Sequence, residues 1–447
     1  MGSWTQAAVP LRVAVGVGAV LGAVACGQTT APPPSVILIV LDTVRADHLS
    51  LYGYERETTP RLARWAESGT VFENAFSPAA WTLPGVGSIL TGRYAAQHGA
   101  GVSGPTRLHD DVPTLAEALA ANGYETGAIA NVSFLSAAFG LDRGFESYDF
   151  QPAGDVSGAR RADVVVDLAL DWLQDRSEPY FFMLHLFDAH RHYDAPEPAR
   201  GAFTAEYADG YDPATLATIE SRVEAERRGD LDFHVAAYDE ELLWLDIQID
   251  RFLAALAEQG RLDSTLVLLM ADHGEAFRDH RAIGHGSCLH GEVMRVPLVI
   301  WEPGRGAVGR SPVPVSTVDI APNVLEYAAV EPFEGAGISL RGVLHGELPE
   351  PRAIFGQNRF YNTDLTALIR WPLKLIQDHR SQSRLLYDLQ ADPRETTNLW
   401  DPDNGDLVRA VRSMRREVRS IRQGREGQAV DMSPKLAQRL RALGYLR

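Results

Sequence analysis

Short apolar runs alternate with amphipathic segments along the first two thirds of the chain. The run from Val36 to Leu41 is apolar and β-branched without interruption, which predicts a strand buried on both faces of a parallel sheet. Further strands are predicted at Glu125 to Ala130, Tyr180 to His185, Thr265 to Met270 and Pro297 to Trp301, and helices at Pro60 to Ser68, Thr114 to Asn122 and around Tyr238 to Leu256. This alternation is typical of an α/β fold with a doubly wound, mostly parallel sheet sandwiched by helices.

The pattern changes at about Pro349, where short strand-like pieces joined by turn residues begin. The pieces are Ala353 to Phe355, Thr366 to Trp371, Leu373 to Gln377 and Leu385 to Tyr387, followed by helical segments at Asp406 to Arg422 and Pro434 to Leu443. We therefore expect a main domain over residues 36–345 and a small antiparallel α+β subdomain over residues 346–447. The segment from Gly154 to Asp232 has the least regular pattern, and we expect an insertion there.

Residues 1–26 have the features of an export signal. Arg12 precedes an apolar run from Val13 to Ala25 that is too short to span a bilayer and ends in small residues. Cys26 then resembles the acylated first residue of a bacterial lipoprotein, with simple cleavage after Ala25 or a retained anchor as the alternatives. We expect a periplasmic or cell-surface protein with a lipid tether on Cys26, joined to the fold by the extended linker of residues 27–35.

The charge balance excludes some partners and mechanisms. The chain has 42 Lys and Arg against 59 Asp and Glu, a net charge of −17, and no block of basic residues, so nucleic acid is not expected as a partner. Its only lysines are Lys374 and Lys435. A catalytic lysine in the first three quarters of the chain is therefore excluded.

Polar residues follow two of the predicted strands directly. Asp42 ends the first strand, and Asp272 and His273 follow the strand that begins at Thr265. Ligands collect at the carboxyl ends of strands in an open parallel sheet. Two carboxylates and an imidazole at one edge would suit a divalent metal ion, although each residue alone could equally be a strand-end cap.

A hydroxyl stands at the start of a predicted helix. Pro84 suits the first turn of that helix, and Thr82 lies just before it. The free N–H groups of a helix N-terminus would hold an anionic ester and stabilise its developing charge. Taken alone, Thr82 is better explained as an ordinary N-cap.

Several short motifs occur in a characteristic order over nearly all of the chain that follows the signal. They are Ile39 to Leu49 with Tyr52 to Tyr54, Leu90 to Arg93, Phe187 to His190, Asp272 to Glu275, Gly284 to Gly286, Val296 to Leu298, Val318 to Pro322, Leu386 to Leu399 and Leu440 to Leu446. In this order and spacing they resemble the sulfatase family of the alkaline phosphatase superfamily. The resemblance implies a metal-dependent hydrolase of anionic esters.

The nucleophile motif departs from that family. Its sulfate-cleaving members have Cys or Ser, then Pro two residues on and Arg four residues on, and oxidise the first residue to formylglycine. Here Thr82 takes the first position and Val86 replaces the arginine. Oxidation of a threonine would give a ketone, so the resemblance to threonine-dependent phosphodiesterases and phosphoethanolamine transferases implies direct attack by the Thr82 oxygen. We therefore expect phosphate or phosphonate esters to be preferred over sulfate esters.

The resemblance also implies a metal site. Asp42, Thr82, Asp272 and His273 correspond to ligands of one divalent cation, which would activate the threonine hydroxyl. Many family members have a second acid directly after the first, whereas this chain has Thr43. Two aspartates and a histidine suit zinc or manganese, and calcium prefers more oxygen ligands, so the identity of the metal stays open among Zn, Mn and Ca.

The resemblance assigns roles to further residues around the transferred group. His190 and His285 would contact the substrate with Asp188, and either histidine could hold the leaving oxygen or protonate it. Asp188 and His192 also have the Asp-x-x-x-His spacing of two-zinc phosphodiesterases, and with His285 they could form a second metal site.

Three functions are compatible with these residues. The first is hydrolysis of a small-molecule, glycan or lipid-head-group anionic ester. The second is transfer of a phospho-group on the same fold. Hydrolysis is favoured over transfer because lipid-head-group transferases of the superfamily have several membrane-spanning helices, and none is predicted from this sequence. The third is binding by a catalytically degenerate sulfatase fold, which the changes at Thr43 and Val86 would favour.

Overall fold

The computed structural model describes residues 33–151, 159–190, 192–207, 231–304, 309–422 and 424–442. The predicted export signal of residues 1–26 and most of the predicted linker lie outside the described residues.

An eight-stranded sheet forms the centre of the main part of the chain. Its order is β11-β2-β10-β7-β1-β6-β4-β5. The strands are β1 Ser35–Leu41, β2 Thr70–Phe72, β4 Glu125–Ala130, β5 Ser147–Phe150, β6 Tyr180–Leu186, β7 Thr265–Ala271, β10 Leu298–Trp301 and β11 Gly309–Ser311. Two small two-stranded pairings accompany it, β3 Ala75–Phe76 with β12 Val315–Ser316, and β8 Ala276–Phe277 with β9 Ile283–Gly284.

The sheet is mostly parallel, as predicted. Strand β1 pairs in parallel with β6 and β7, while β10 runs antiparallel to both of its neighbours. Every residue of β1 is buried. A strand covered on both faces needs apolar side chains pointing both ways, which is why the unbroken apolar run predicts it correctly.

The described part of the chain has eleven α-helices. They are α1 Pro60–Ala66, α2 Thr82–Thr91, α3 Ala95–His98, α4 Leu115–Ala120, α5 Ala162–Gln174, α6 Leu231–Glu258, α7 Gly291–Met294, α8 Ile320–Tyr327, α9 Arg341–Leu344, α10 Gly405–Arg422 and α11 Pro434–Ala442. The long helix α6 packs against α1 and α5. No helix in the described ranges is both long enough and apolar enough to cross a membrane.

A separate antiparallel sheet follows the main sheet in the chain. Its strands are β13 Ile354–Asn358, β14 Leu365–Arg370, β15 Leu373–Asp378 and β16 Arg384–Asp388, paired in chain order. A hairpin with Pro372 in its bend joins β14 to β15, and helix α10 packs on β14. The small C-terminal antiparallel unit is therefore confirmed.

The expectation of an insertion between Gly154 and Asp232 needs correction in its first half. Helix α5 lies there, its inner side formed by buried side chains such as Val165, Val166 and Leu173, and it packs on α6 and β6. The helix was missed although its three aspartates, Asp163, Asp167 and Asp171, lie four residues apart and so share the side opposite the buried residues. Residues 208–230 lie outside the described part of the chain.

Candidate active site

The ends of two neighbouring strands bring Asp42 and Asp272 together. Asp42 directly follows β1 and Asp272 directly follows β7, and these strands pair in parallel with Leu41 opposite Ala271. The backbone N–H of Asp272 donates to the carbonyl oxygen of Leu41 over 3.1 Å. Both aspartates are 0 % exposed. The sheet register therefore places two buried carboxylates side by side.

Helix α2 carries Thr82 into contact with this pair. The Thr82 hydroxyl donates to Oδ2 of Asp42 over 3.2 Å and lies 3.4 Å from Nε2 of His273. The approach depends on Gly85, because a Cβ there would lie 2.7 Å from the carbonyl oxygen of Asp272. A side chain at Gly85 would push the start of the helix away from the carboxylates.

Thr82 is not an N-cap. Helix α2 begins at Thr82 itself, the N-cap is Trp81, and no side chain caps the helix. The hydroxyl is instead used toward Asp42 and His273. The first backbone N–H groups of a helix have no partner within it, so they stay available beside this hydroxyl.

The orientation of His273 points an imidazole lone pair toward both carboxylates. Its Nδ1 lies 2.9 Å from the carbonyl oxygen of Gly274, which can only accept, so Nδ1 carries the proton. Nε2 therefore presents a lone pair, 3.8 Å from Oδ1 of Asp42 and 3.6 Å from Oδ2 of Asp272. A backbone carbonyl that fixes the tautomer in this way is typical of metal-ligating histidines.

His185 belongs to the same cluster and was missed in the sequence. It lies near the carboxyl end of β6, opposite Val40, with Nε2 3.3 Å from Oδ2 of Asp42. Its side chain is 0 % exposed, and neither ring nitrogen has a hydrogen-bond partner among the described residues. The one available signal was a polar residue inside the otherwise apolar strand Tyr180–Leu186.

These donors fit a divalent cation. Ligand atoms of Asp42, His185 and Asp272 all lie within 4.8 Å of one another. Oδ1 of Asp42 and Oδ2 of Asp272 are buried without a hydrogen-bond partner in the described part of the chain. Buried carboxylate oxygens are normally satisfied, so two unpaired ones facing imidazole lone pairs match the donor set of a metal site.

The electrostatics agree with this fit. Burial and the neighbouring charge of Asp42 raise the pKa of Asp272 well above its ordinary value. Burial opposes ionisation of Asp42 as well, but the nearby His185, His190 and His273 hold its pKa well below the usual range. Burial, followed by His285, lowers the pKa of His273 to about 3. One carboxylate of the pair is thus strained electrostatically unless positive charge reaches it.

Two further histidines extend the cluster. The His285 ring lies 4.6 Å from that of His273 and 5.1 Å from that of His190, which stacks on Phe187 at 4.4 Å. Nδ1 of His285 is 3.2 Å from Oε2 of Glu275. The structure therefore brings both predicted substrate-side histidines to the Thr82 cluster.

Asp188 is used differently from the prediction. Its Oδ1 accepts a hydrogen bond of 3.0 Å from the backbone N–H of Ala162, the first residue of α5. Burial raises its pKa to about 6. Among the described residues, Asp188, His192 and His285 do not form a group of ligand atoms within 4.8 Å. The second metal site suggested by their spacing is not assembled, because Asp188 is turned toward the start of the helix.

The two positions that depart from the family pattern are both structural. Thr43 has a φ of 58°, unusual for a β-branched residue, and its hydroxyl donates to the carbonyl oxygens of Asp42 and Ala189. Val86 is fully buried in the main core. Neither side chain adds charge to the site.

The C-terminal unit contributes one wall near the site. Phe360 stacks on Trp81, the residue before Thr82, with ring centroids 4.3 Å apart. The side-chain amide of Asn358 donates to the carbonyl oxygen of Gly286 over 2.7 Å, next to His285. These contacts link sequence-distant residues, and no local pattern predicted them.

A buried group of two aspartates, histidines and one threonine at the carboxyl edge of a mostly parallel sheet defines a class of α/β enzymes that use a divalent cation. The profile of the Sulfatase family matches residues 34–330. The chain therefore belongs to the sulfatase family and is a sulfuric or phosphoric ester hydrolase of the alkaline phosphatase superfamily. Enzymes of this family generally use a divalent metal.

Individual relatives cover most of the chain. The arylsulfatase of Clostridium perfringens is 25 % identical over 448 residues, covering 82 % of this chain and 90 % of that protein. The phosphonate monoester hydrolase of Agrobacterium radiobacter superimposes with a TM-score of 0.70 at 21 % identity, over 87 % of this chain and 95 % of that one. A protein solved with its substrate D-glucosamine-2-N,6-O-disulfate also gives 0.70 at 21 % identity, over 87 % and 97 %.

Proposed function

We propose that this sulfatase-family enzyme uses Thr82 as its nucleophile and prefers phosphate or phosphonate esters over sulfate esters. One observation carries the proposal: the Thr82 hydroxyl lies 3.2 Å from Asp42 and 3.4 Å from His273 at the first residue of helix α2. A hydroxyl in that place can attack an ester held at the helix N-terminus.

The preference for phosphorus follows from the chemistry of threonine. An enzyme that attacks with an aldehyde hydrate can release sulfate by elimination, which re-forms the aldehyde. A threonine ester has no such route, so it must be cleared by attack of water or an alcohol at the central atom. A phospho-threonine allows that in-line displacement more readily than a sulfo-threonine.

The reaction can be written with this chain's own groups. The Thr82 oxygen bonds to phosphorus as its proton moves toward Oδ2 of Asp42, and the bond from phosphorus to the leaving oxygen breaks. The leaving oxygen takes a proton from His190 or His285, which flank the cluster. Water then attacks phosphorus and gives a proton to the same histidine, the bond from phosphorus to Thr82 breaks as Asp42 returns its proton to the Thr82 oxygen, and phosphate or phosphonate leaves.

We assign the cation to Asp42, Asp272 and His273 with the Thr82 hydroxyl, and we add His185 as a further donor. His185 offers the extra ligand that an acid at position 43 supplies in many family members. Zinc or manganese fits this balance of two carboxylates and two imidazoles better than calcium does. When bound, such a cation lowers the pKa of a coordinated hydroxyl and offsets developing negative charge.

The similar proteins support an anionic ester as the substrate and include both phosphonate and sulfate esters. One solved neighbour is named a phosphonate monoester hydrolase, and another is bound to a sulfated glucosamine. We propose a small-molecule, glycan or lipid-head-group ester as the substrate.

For the cellular location, we propose export with residues 1–26 as the signal and acylation of Cys26 as a membrane tether. For the domain organisation, we propose a catalytic domain of residues 36–345 and a C-terminal subdomain of residues 346–447.

A substrate panel tests the proposal. The purified full chain is reconstituted with Zn²⁺ or Mn²⁺ and assayed on p-nitrophenyl phosphate, bis(p-nitrophenyl) phosphate, p-nitrophenyl phenylphosphonate and p-nitrophenyl sulfate. We expect kcat/KM for at least one phosphorus ester to exceed that for the sulfate by an order of magnitude or more. A covalent phospho-threonine trapped by acid quench and located at Thr82 by mass spectrometry would identify the nucleophile.

Two results would contradict the proposal. Faster turnover of the sulfate than of every phosphorus ester would remove the preference, and full activity of Thr82→Ala would remove the nucleophile. If the reconstituted enzyme turns over none of the four esters, the binding-protein alternative gains support. Faster product release on addition of an acceptor alcohol would favour transfer over hydrolysis.

A further inference from the structure

A second group of metal-ligating side chains lies in the segment that follows the catalytic strand end. It consists of His280, His290 and Glu292, and we call it the loop cluster. One candidate ligand atom from each residue lies within 4.8 Å of the others. The loop cluster shares no residue with the Thr82 site, and nothing in the proposed reaction uses it.

The side chains of the loop cluster are packed closely. Nδ1 of His280 lies 3.0 and 3.1 Å from the two carboxylate oxygens of Glu292. The rings of His280 and His290 stack at 3.9 Å with an interplanar angle of 5°. His290 is 9 % exposed and Glu292 is 5 % exposed. Burial of this kind makes an uncompensated carboxylate costly.

Hydrogen bonds define where the lone pairs of His280 point. Nε2 of His280 is 3.0 Å from the carbonyl oxygen of Glu395, which can only accept, so Nε2 carries a proton. Nδ1 then either carries a second proton or presents a lone pair to the Glu292 carboxylate. A lone pair and a carboxylate repel each other unless a cation lies between them. The pair is therefore either an imidazolium–carboxylate ion pair or two ligands of a metal.

His290 distinguishes these two states. Its Nδ1 is buried and has no hydrogen-bond partner in the described ranges, while Nε2 lies 3.3 Å from the hydroxyl of Tyr387. A simple ion pair between His280 and Glu292 would leave that nitrogen unexplained. Two imidazoles and one carboxylate are a donor set that zinc prefers.

We propose that the loop cluster is a second, structural zinc-class site formed by His280, His290 and Glu292. The ion would join the segment after Asp272 to the C-terminal unit, because His280 and His290 also contact Glu395 and Tyr387. That segment carries His285, so the ion would hold the shape of the loop without taking part in the reaction.

The charged side chains near the loop cluster are compatible with a bound cation. Lys374 is already paired with Glu395 at 2.7 Å. Among the described residues, the Glu292 carboxylate forms its hydrogen bonds and its ion pair with His280. A divalent ion would supply the positive charge that His280 would otherwise supply by protonation.

Metal counting on the full chain tests the proposal. In the variant Asp42→Asn/Asp272→Asn, which removes the proposed active-site ligands, we expect about one zinc per chain after equilibrium dialysis, measured by plasma mass spectrometry. Adding His290→Phe, which keeps a stacked ring, should reduce this to less than a tenth. Adding Glu292→Gln should have the same effect.

A matched control comes from another histidine–glutamate pair. Nε2 of His345 lies 3.1 Å from Oε1 of Glu302, and this pair is not part of any three-ligand group in the described residues. His345→Gln in the same background should leave one zinc bound. Titration of the background with Co²⁺ should give the visible absorption bands of a low-coordinate site, and zinc should raise its Tm only while His290 is present.

Each result of the zinc and cobalt measurements either supports or overturns the proposed zinc site. No zinc in the Asp42→Asn/Asp272→Asn background, with no cobalt bands, would overturn the proposal and leave an imidazolium–carboxylate ion pair. One zinc that survives both His290→Phe and Glu292→Gln would overturn it as well, because the metal would lie elsewhere. If His290→Phe does not fold, the cobalt titration and Glu292→Gln still decide. Hydrolysis by Thr82 is measured separately and does not depend on this result.

Discussion

Two of the places where this molecule buries carboxylates differ in how the charge is compensated. In the C-terminal unit, Glu395 accepts from the ammonium of Lys374 over 2.7 Å, with side-chain exposures of 1 % and 0 %. At the edge of the main sheet, Asp42 and Asp272 are equally buried, yet their neighbours are histidines and a threonine. Lys374 neutralises the charge of Glu395, whereas no lysine or arginine among the described residues neutralises Asp42 and Asp272.

The difference separates a structural site from a functional one. Removing charge from water costs several kcal/mol per ion in real proteins, and a well-placed partner recovers much of it. Lys374 does this for Glu395. For Asp42 and Asp272 the described residues supply hydrogen bonds, from the Thr82 hydroxyl and the backbone N–H of His273, but no lysine or arginine, which destabilises the fold but creates a place for a cation. Such uncompensated sites are expected where function requires them.

Loss of the threonine hydroxyl should have the largest effect. We expect Thr82→Ala to reduce kcat/KM by a factor on the order of 10⁴ or more, because the attacking atom is gone. Metal content and Tm should stay close to those of the unchanged enzyme. Thr82→Ser is the matched control, since it keeps the hydroxyl and should retain measurable turnover.

Removal of one carboxylate should abolish function without harming the fold. Asp272→Asn is expected to remove the active-site metal while the zinc of the loop cluster stays bound, and to reduce kcat/KM by a factor on the order of 10³. Without metal, the variant should be at least as stable as the unchanged chain, because two mutually repelling carboxylates become one. Elemental analysis and thermal unfolding in chelator measure both; a strong loss of stability would contradict the comparison.

The ion pair should show the opposite behaviour. Lys374→Met leaves Glu395 buried without its partner and should lower the free energy of unfolding by about 3–5 kcal/mol. The folded fraction should keep its kcat, because neither residue touches the Thr82 cluster. Lys374→Met combined with Glu395→Gln should recover much of the loss, and denaturant unfolding measures all three variants.

Asp188 provides an intermediate case, a partly exposed acid whose carboxylate accepts a hydrogen bond from a backbone N–H. Burial raises its pKa from 3.8 to about 6, so the folded state binds this proton more tightly than the unfolded state. The resulting penalty is absent below pH 3.8 and grows as the pH rises to about 6. Asp188→Asn should therefore gain about 3 kcal/mol relative to the unchanged chain above that pH. Unfolding free energies at pH 4 and pH 8 should show the gain only at the higher value.

The smallest effect is expected at His185. His185→Phe keeps the ring but removes the donor nitrogen, and should weaken metal binding by about 10–100-fold. A chelator competition titration measures the change. Unaltered affinity would mean that His185 serves only as a packed neighbour of Asp42.

Much of the fold and most of the candidate site were predictable from the sequence. The strands and helices of the main sheet follow from apolar periodicity, and Asp42, Asp272 and His273 follow from their place after two strands. His185 was hidden because a histidine inside a buried strand has no local pattern that reveals a partner. Asp188 was assigned to the substrate because spacing along the chain does not show which way a side chain turns.

The order of apolar and polar residues by itself determined the layered architecture and the buried parallel strands. It also determined that carboxylates and an imidazole follow the strands at the edge of the sheet. These properties are local, since burial of a strand requires a continuous apolar run. Tertiary structure alone decided which donors converge. The register of β6, β1 and β7 sets His185, Asp42 and Asp272 side by side, and Gly85 lets helix α2 bring Thr82 to them. Convergence depends on distances between segments far apart in the chain, which no local pattern contains.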